Sequence, residues 1–284
     1  MACSHFFIIF AFKKNKLMLR FISFGSGSSG NCYYIYTDTD GIMIDAGVGV
    51  RALKKYFRDY GISLTQVHHL LITHDHADHI KCVGSISHDW HLPVYATALV
   101  HQGIDRNYCV TRKVNPADRH LLISGQTVGM GDFLVTPFHV PHDSSDNVGY
   151  MIEAVGKVFT IITDAGRVTE EMGQYILKAD YLVIEANHDR EMLMAGPYPQ
   201  HLKERIISGT GHLSNSACGE AVAQYMSEHL RYVWLCHLSE ENNHPELARK
   251  TVESVLRSYG ILAGKDLQLE VLKRTMPMGI YELG

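Results

Sequence analysis

Thr73-His74-Asp75-His76-Ala77-Asp78-His79 follows directly on the apolar run Leu70-Leu71-Ile72, and its reading decides the fold. The run is short, β-prone and bounded by polar residues, which predicts a buried strand ending where the histidines begin. Five groups able to bind a metal crowd into positions 74–79. His74 and His76 alternate, so an extended chain sets both imidazoles on one side. Asp78 and His79 would diverge on a strand, but a turn into a helix at Asp78 lets them reach a second point nearby. That geometry suits two ions. A structural zinc site would more often bring thiolates or a Cys-x-x-Cys pair, and neither is present here.

The composition bounds the rest. A chain of 284 residues with 46% hydrophobic content can bury one large core or two modest ones. A net charge of −4 gives no general pull toward nucleic acid, so a phosphate-bearing partner needs a local patch. Cys3, Cys32, Cys82, Cys109, Cys218 and Cys236 lack paired spacing, which fits reduced thiols in the cytoplasm better than a disulfide framework. In residues 1–17 the apolar patch Phe6 to Phe12 precedes Lys13-Lys14. The charge is on the wrong side for a secretory signal, and the patch is too short to span a membrane. Residues 1–17 are expected to be an extension outside the fold, and no membrane partner is expected. No Pro-, Gly- or Ser-rich linker divides 18–284, which reads as one domain.

Working outward, Leu19 to Phe24 and Asn31 to Thr37 predict paired strands around the loop Gly25-Ser26-Gly27-Ser28-Ser29-Gly30. This loop has the form of a dinucleotide-binding fingerprint, but Cys32-Tyr33-Tyr34-Ile35-Tyr36 is a poor helix start, so a tight turn is the better reading. Its amides and hydroxyls could face an anionic substrate. Ile42 to Ile44 forms a strand ending at Asp45-Ala46-Gly47, and Arg51 to Tyr60 a helix with Leu53, Tyr56 and Phe57 on one face. Asp-Ala-Gly recurs at 164–166 after a comparable strand, a hint of two similar halves. Further strands are expected at 93–96, 133–138, 148–155, 157–163, 181–185 and 231–236. Helices are expected near 97–104 and 199–207, after Ser214 or Asn215, and from His244-Pro245-Glu246 with Leu247, Val252, Val255 and Tyr259 inward.

Strand ends therefore carry Asp45, His74, His76, His142, Asp164 and His237. Ligands presented from strand ends stay rigid, because the sheet does not move with its loops. With the H-x-H-x-D-H stretch, this pattern resembles the metallo-β-lactamase superfamily, which implies an α/β (α+β) four-layer αββα sandwich with a dinuclear metal site. Ser26-Gly27-Ser28-Ser29-Gly30-Asn31, Asn187-His188-Asp189, Gly211-His212-Leu213-Ser214-Asn215 and the stretch from His237 to Asn243 resemble the YycJ/WalJ family of bacterial cytoplasmic 5′-to-3′ DNA exonucleases.

By position, the resemblance implies that His74, His76 and His142 hold one ion and Asp78, His79 and His237 the other, with Asp164 bridging. The ions would be zinc or manganese. Asp45 is expected to orient a ligand histidine; His139 reads equally as a supporting or a plain core residue. Asp78, His188 and His212 are the catalytic candidates. Ser26, Ser28, Ser29, Asn31, Asn187 and Asn243 are candidates for binding substrate.

The expected reaction is phosphodiester hydrolysis on DNA. A thioester or lactone hydrolase, or an RNase, on the same site is the alternative, and a non-catalytic metal-binding regulator is disfavoured by so complete a ligand set. Lys203, Arg205, Arg249, Lys250, Arg257, Lys265, Lys273 and Arg274 could line a phosphate track, although scattered basic residues usually form a solvated face.

Overall fold

Strands that read as nearly continuous apolar runs are buried on both faces, and their side chains alternate between two separate cores. A computed structural model of the chain describes residues 18–284, so the expected extension at 1–17 lies outside the described residues. The first sheet takes β1 (Leu19–Gly25), β2 (Cys32–Tyr36), β3 (Gly41–Ile44), β4 (His69–Leu71), β5 (Val94–Ala96) and β6 (Arg119–Leu121). The second takes β7 (Val128–Met130), β8 (Phe133–His139), β9 (Val148–Ala154), β10 (Lys157–Ile162), β11 (Tyr181–Glu185), β12 (Tyr232–Cys236) and β13 (Gln268–Val271). A last strand, β14 (Met278–Leu283), returns to pair with β1, giving the orders β14-β1-β2-β3-β4-β5-β6 and β13-β12-β11-β10-β9-β8-β7.

Between the sheets, Phe21, Tyr33, Ile35, Ile42 and Ile44 meet Val135, Tyr150, Phe159, Val183 and Trp234 in one core. The residues between them face outward. Ile22, Tyr34 and Met43 pack beneath α1 (Val50–Asp59), α3 (Val83–Trp90) and α4 (Ala98–Arg106), through Leu53, Phe57, Ile86 and Val100. On the far side, Ile162, Leu182, Ile184 and Leu235 lie under α5 (Glu170–Lys178), α8 (Asn215–Tyr225) and α9 (Pro245–Ser258). These layers make the expected αββα sandwich. The short α2 (Ala77–Ile80), α6 (Arg190–Ala195) and α7 (Gln200–Ile207) sit in loops at the strand ends. Among the described residues no helix is long and apolar enough to cross a membrane.

The hint of two halves becomes a topology. β1-β2-β3-α1-β4-α3-β5-α4-β6 and β8-β9-β10-α5-β11-α8-β12-α9-β13 run in the same order, apart from the short helices. In each half three antiparallel strands lead into three further strands that pair in parallel. Asp45 and Asp164 close the third strand of their halves, both with left-handed backbone at φ 63° and 53°.

Some local expectations need correction. In α9 the inward residues are Ala248, Val252 and Leu256, while Tyr259 caps the helix and is 58% exposed. The i, i+4, i+8 stripe runs through Ala248, and a small alanine is a weak hydrophobic signal. His139 is exposed at the end of β8 and serves neither of the roles considered for it.

Candidate metal centre

Leu70 and Leu71 are locked into the first sheet, and the chain then crosses to the second. The Val148 amide donates to the Thr73 carbonyl at 3.1 Å, and His74 bridges Asn147. The histidine stretch thus sits on the seam between the sheets. His76 is still extended at φ −70° and ψ 147° and caps α2, whose turn carries Asp78 and His79 to the other side of the seam. The expected turn at Asp78 is this helix.

Two donor groups result. His74, His76 and His142 form one, Asp78, His79 and His237 the other, and within each the ligand atoms lie within 4.8 Å of one another. Asp164 lies between the groups. One of its oxygens is 3.2 Å from His79 Nε2, and the other is 3.3 Å from His237 Nδ1 and 3.8 Å from His142 Nε2. Asp78 Oδ2 is 3.3 Å from His237 Nε2. All seven residues expected as ligands are therefore brought together.

The ring orientations are fixed from behind. His79 Nδ1 donates to Asp45 at 2.7 Å, and both Asp45 oxygens also accept from the Thr73 hydroxyl at 3.0 Å. His142 Nδ1 donates to the Gly211 carbonyl at 2.9 Å. Such contacts select the tautomer that leaves Nε2 as a ligand. Asp45 accordingly occupies the orienting position expected of it.

The donor set fits a divalent cation. His74 Nε2 is buried without a hydrogen-bond partner, a costly state for a polar atom unless another group completes it. Burial holds the His74 and His142 imidazoles neutral, the form that can donate a lone pair. At His79 and His237 burial also opposes the charged form, but neighbouring carboxylates outweigh it. His79 is raised well above its usual value, mainly by Asp45 and Asp164. His237 is raised to about 10 by Asp164, Asp78 and Glu185. The same pairing holds Asp78 and Asp164 ionised despite burial. Imidazoles and carboxylates in this proportion suit borderline-soft divalent metals.

Glu185 was missed by the sequence reading. It ends β11, is fully buried, and accepts from His212 Nδ1 at 2.8 Å and His237 Nδ1 at 2.9 Å. Its second oxygen takes the amides of Ala165 and Leu213 at 2.8 and 3.0 Å. Burial penalises its charge, but the neighbouring His212 and the hydrogen bonds from both histidines outweigh this and hold its carboxyl at about 2. A signal was available, since Tyr181-Leu182-Val183-Ile184 ends in an acid just as the strands before Asp45 and Asp164 do.

Beside the centre lies a cavity of about 370 Å³, lined among others by Ser28, Asn187, Tyr198, Arg205, His212 and Ser239. Of the catalytic candidates, Asp78 belongs to the ligand set and His212 lines this cavity. His188 is not among the cavity's walls and is buried, with its imidazole pushed down to about 4 mainly by burial. Of the substrate candidates, Ser28 and Asn187 line the cavity, while Ser29 is exposed on the other side of the loop. Ser26, Asn31 and Asn243 are buried and brace the loops instead. Ser26 Oγ accepts the His237 amide at 2.9 Å, Asn31 Nδ2 reaches Asp78 and His79 at 3.1 and 2.8 Å, and Asn243 Nδ2 donates to Ala186, Asn187 and Asn215.

The basic residues of the last third do not form one track. Lys203 is buried with Nζ on the Met194 carbonyl, Arg205 pairs with Asp143, and Arg249 pairs with Glu246 and Glu253.

Comparisons with known proteins agree with this architecture. The family model described as a beta-lactamase superfamily domain matches residues 41–237. The zinc-bound PqqB structure from Methylobacterium extorquens superposes with a TM-score of 0.67 over 92% of this chain and 100% of that one, at 18% identity. The chain belongs to the metallo-β-lactamase superfamily and is a metal-dependent hydrolase. It is 34% identical over 263 residues to exodeoxyribonuclease YycJ of Bacillus anthracis, covering 92% of this chain and 98% of that one. It is equally 34% identical over 244 residues to exodeoxyribonuclease WalJ of Streptococcus pneumoniae, covering 86% and 90%. Within the superfamily, it is a member of the YycJ/WalJ family.

Proposed function

We propose that this protein is a cytoplasmic 5′-to-3′ exodeoxyribonuclease that works with two divalent ions, zinc or manganese. A fold of this class hosts many chemistries, so the substrate has to be argued from the site and from close relatives. The observation that carries the reading is 34% identity to an exodeoxyribonuclease along 92% of the chain, with a hydrolytic donor set intact. The cavity beside that set supports it. Tyr198 brings an aromatic ring on which a base could stack, and Glu240 and Glu241 disfavour further phosphates on that side, Asp143 being paired with Arg205. A cavity so bounded accepts a chain end better than the middle of a strand.

His74, His76 and His142 would hold one ion, Asp78, His79 and His237 the other, and Asp164 would be shared. When bound, such ions lower the pKa of water from ~16 toward ~7 and stabilise charge on phosphate oxygens. The chain supplies the rest. Asp45 and Glu185 keep the ligand rings in register. The charge on Glu185 and its hydrogen bond raise the His212 pKa against the opposing effect of burial and so favour the protonated ring. With Nδ1 committed to Glu185, His212 Nε2 is the atom that can pass a proton to the leaving sugar oxygen. Asn187 donates to the His237 carbonyl at 2.9 Å and fixes the loop that carries the ligand.

The test incubates the metal-loaded protein with 5′-labelled and 3′-labelled single- and double-stranded DNA, with RNA, and with a lactone and a thioester. Mononucleotides released from 5′ ends of DNA are the expected products. Preferential turnover of RNA, or of either ester, would replace this reading with the corresponding alternative.

A further inference from the structure

We propose that the outer face of α1, continued by Lys81 and Arg274, is a track for the DNA strand leading away from the catalytic cavity. The inference rests on the nuclease reading above and extends it to the part of the substrate that is not cleaved. In α1, Leu53 and Phe57 turn inward, and Phe57 packs on Phe24 at 4.9 Å between ring centroids. This orientation leaves Arg51, Lys54, Lys55 and Arg58 exposed together, with Asp59 the only acid of the helix. They line one shallow groove with Gly49 and Ala52. In a chain of net charge −4, such a strip is not the by-product of a generally basic surface.

The strip connects to the site. Gly49 and Ala52 also wall a second depression, whose other walls include Ser29, Gly30, Lys81 and Arg274. Lys81 Nζ donates to the Ser29 carbonyl at 2.6 Å, and Arg274 Nη1 donates to the Ser239 carbonyl at 3.2 Å. Ser28 and Ser239 in turn wall the catalytic cavity. A strand leaving past Glu240 and Glu241 would meet like charge, whereas one crossing the glycine–serine loop meets Lys81 and Arg274 and then the four cations of α1. The carboxylates that share those cations form exposed pairs. Asp89 is 3.5 Å from Lys54, and Asp59 pairs with Lys55 and Arg58. Pairs of this kind hold weakly and yield readily to phosphate. Tyr56, a wall of the second depression, provides a ring on which a base can stack.

The test is the triple variant Arg51→Glu, Lys54→Glu, Arg58→Glu, all three away from the metal and cavity residues. Binding of a labelled single strand of about 20 nucleotides is read by fluorescence anisotropy across a salt series, where each phosphate contact adds about 0.7 to the slope. Hydrolysis of that strand is compared with hydrolysis of a dinucleotide. The expected result is a log–log salt slope shallower by about 2, with an about tenfold or greater rise in KM for the long strand. Dinucleotide turnover and the melting temperature should stay unchanged. An unaltered salt slope and length preference, or an equal loss on the dinucleotide, overturns the track. If the wild-type protein cleaves no DNA at all, the nuclease reading falls, and the anisotropy comparison still decides the track by itself.

Discussion

The two halves of this molecule share an order of elements and an Asp-Ala-Gly turn, yet they use the turn differently. In the first half Asp45 is wholly engaged by the Thr73 hydroxyl and amide and by His79 Nδ1, so it can only support. In the second, Asp164 is bonded by the Thr163 hydroxyl at 2.7 Å and otherwise faces nitrogens of His79, His142, His212 and His237, so it sits between the donor groups. The support of the second half moves one strand along, to Glu185, while His237, the proposed ligand it holds, comes from the strand after that. The first half gathers four of the proposed ligands in one six-residue stretch, and the second collects three from three separate strand ends. The same tripeptide in the same topological place acquires its role from its neighbours.

The largest expected effect comes from removing a ligand in either half. His76→Ala and Asp164→Asn should each lower hydrolysis by about a thousandfold or more, because lost metal stabilisation is worth several kcal/mol and each ~1.4 kcal/mol is a factor of ten. Far-UV circular dichroism should be unchanged, since both residues project from strand ends. Full activity with unchanged metal content in either variant would break the assignment.

The supports distinguish the halves more sharply. Asp45→Asn and Glu185→Gln should each weaken metal binding by about 10–100-fold in a competition titration. Asp45 serves one ligand histidine, whereas Glu185 also holds His212. The Glu185 variant alone should therefore still have a depressed kcat when metal is saturating, and equal recovery of both would remove that distinction.

Protonation gives an intermediate effect. His237, raised to about 10 without metal, stabilises the metal-free fold most fully below its usual value near 6.5, and that contribution is lost as pH rises through about 10. His74, lowered by burial, acts in the opposite direction and costs stability as pH falls below 6.5. The metal-free melting temperature should consequently peak near pH 6.5 and fall as pH rises toward 10. Because ligands shed protons on binding, metal affinity should strengthen as pH rises toward 10, and calorimetry at pH 8 in buffers of different ionisation enthalpy should register proton release. Proton uptake would contradict the paired state of His79 and His237.

Helix caps should give the smallest changes. Ser214 Oγ accepts the Ala217 amide at 3.2 Å at the start of α8, so Ser214→Ala should cost about 1 kcal/mol in denaturant unfolding. In the first half α1 begins at Gly49 with no side-chain cap, and Gly49→Ser should shift stability by only a few tenths of a kcal/mol, about the usual difference between these caps.

Much of this was legible in the chain itself. Leu70-Leu71-Ile72 and the spacing of His74, His76, Asp78 and His79 specify a strand end and a local ligand cluster, because contacts between near neighbours follow from backbone period alone. Apolar runs placed ten of the fourteen strands among the described residues. β6, β13 and β14 did not announce themselves, being short or exposed at the sheet margins, and β7 fell inside a stretch that read as β-rich from Gln126 without a strand of its own being marked. Glu185 was visible as a residue but not as a participant, since its meaning lies in two histidines 27 and 52 positions away.

The sequence by itself determined the alternation that builds two cores, the metal-binding chemistry, and the helical turn that splits the histidine stretch. Only the tertiary structure decided that Glu185 stands behind His212 and His237, that Ser26, Asn31 and Asn243 are buried in bracing contacts, and that a strip of exposed cations lies on α1. The physical reason is range. Period and propensity act over a few residues, whereas burial, hydrogen-bond partnership and surface continuity are set by segments that meet only when the two sheets close on each other.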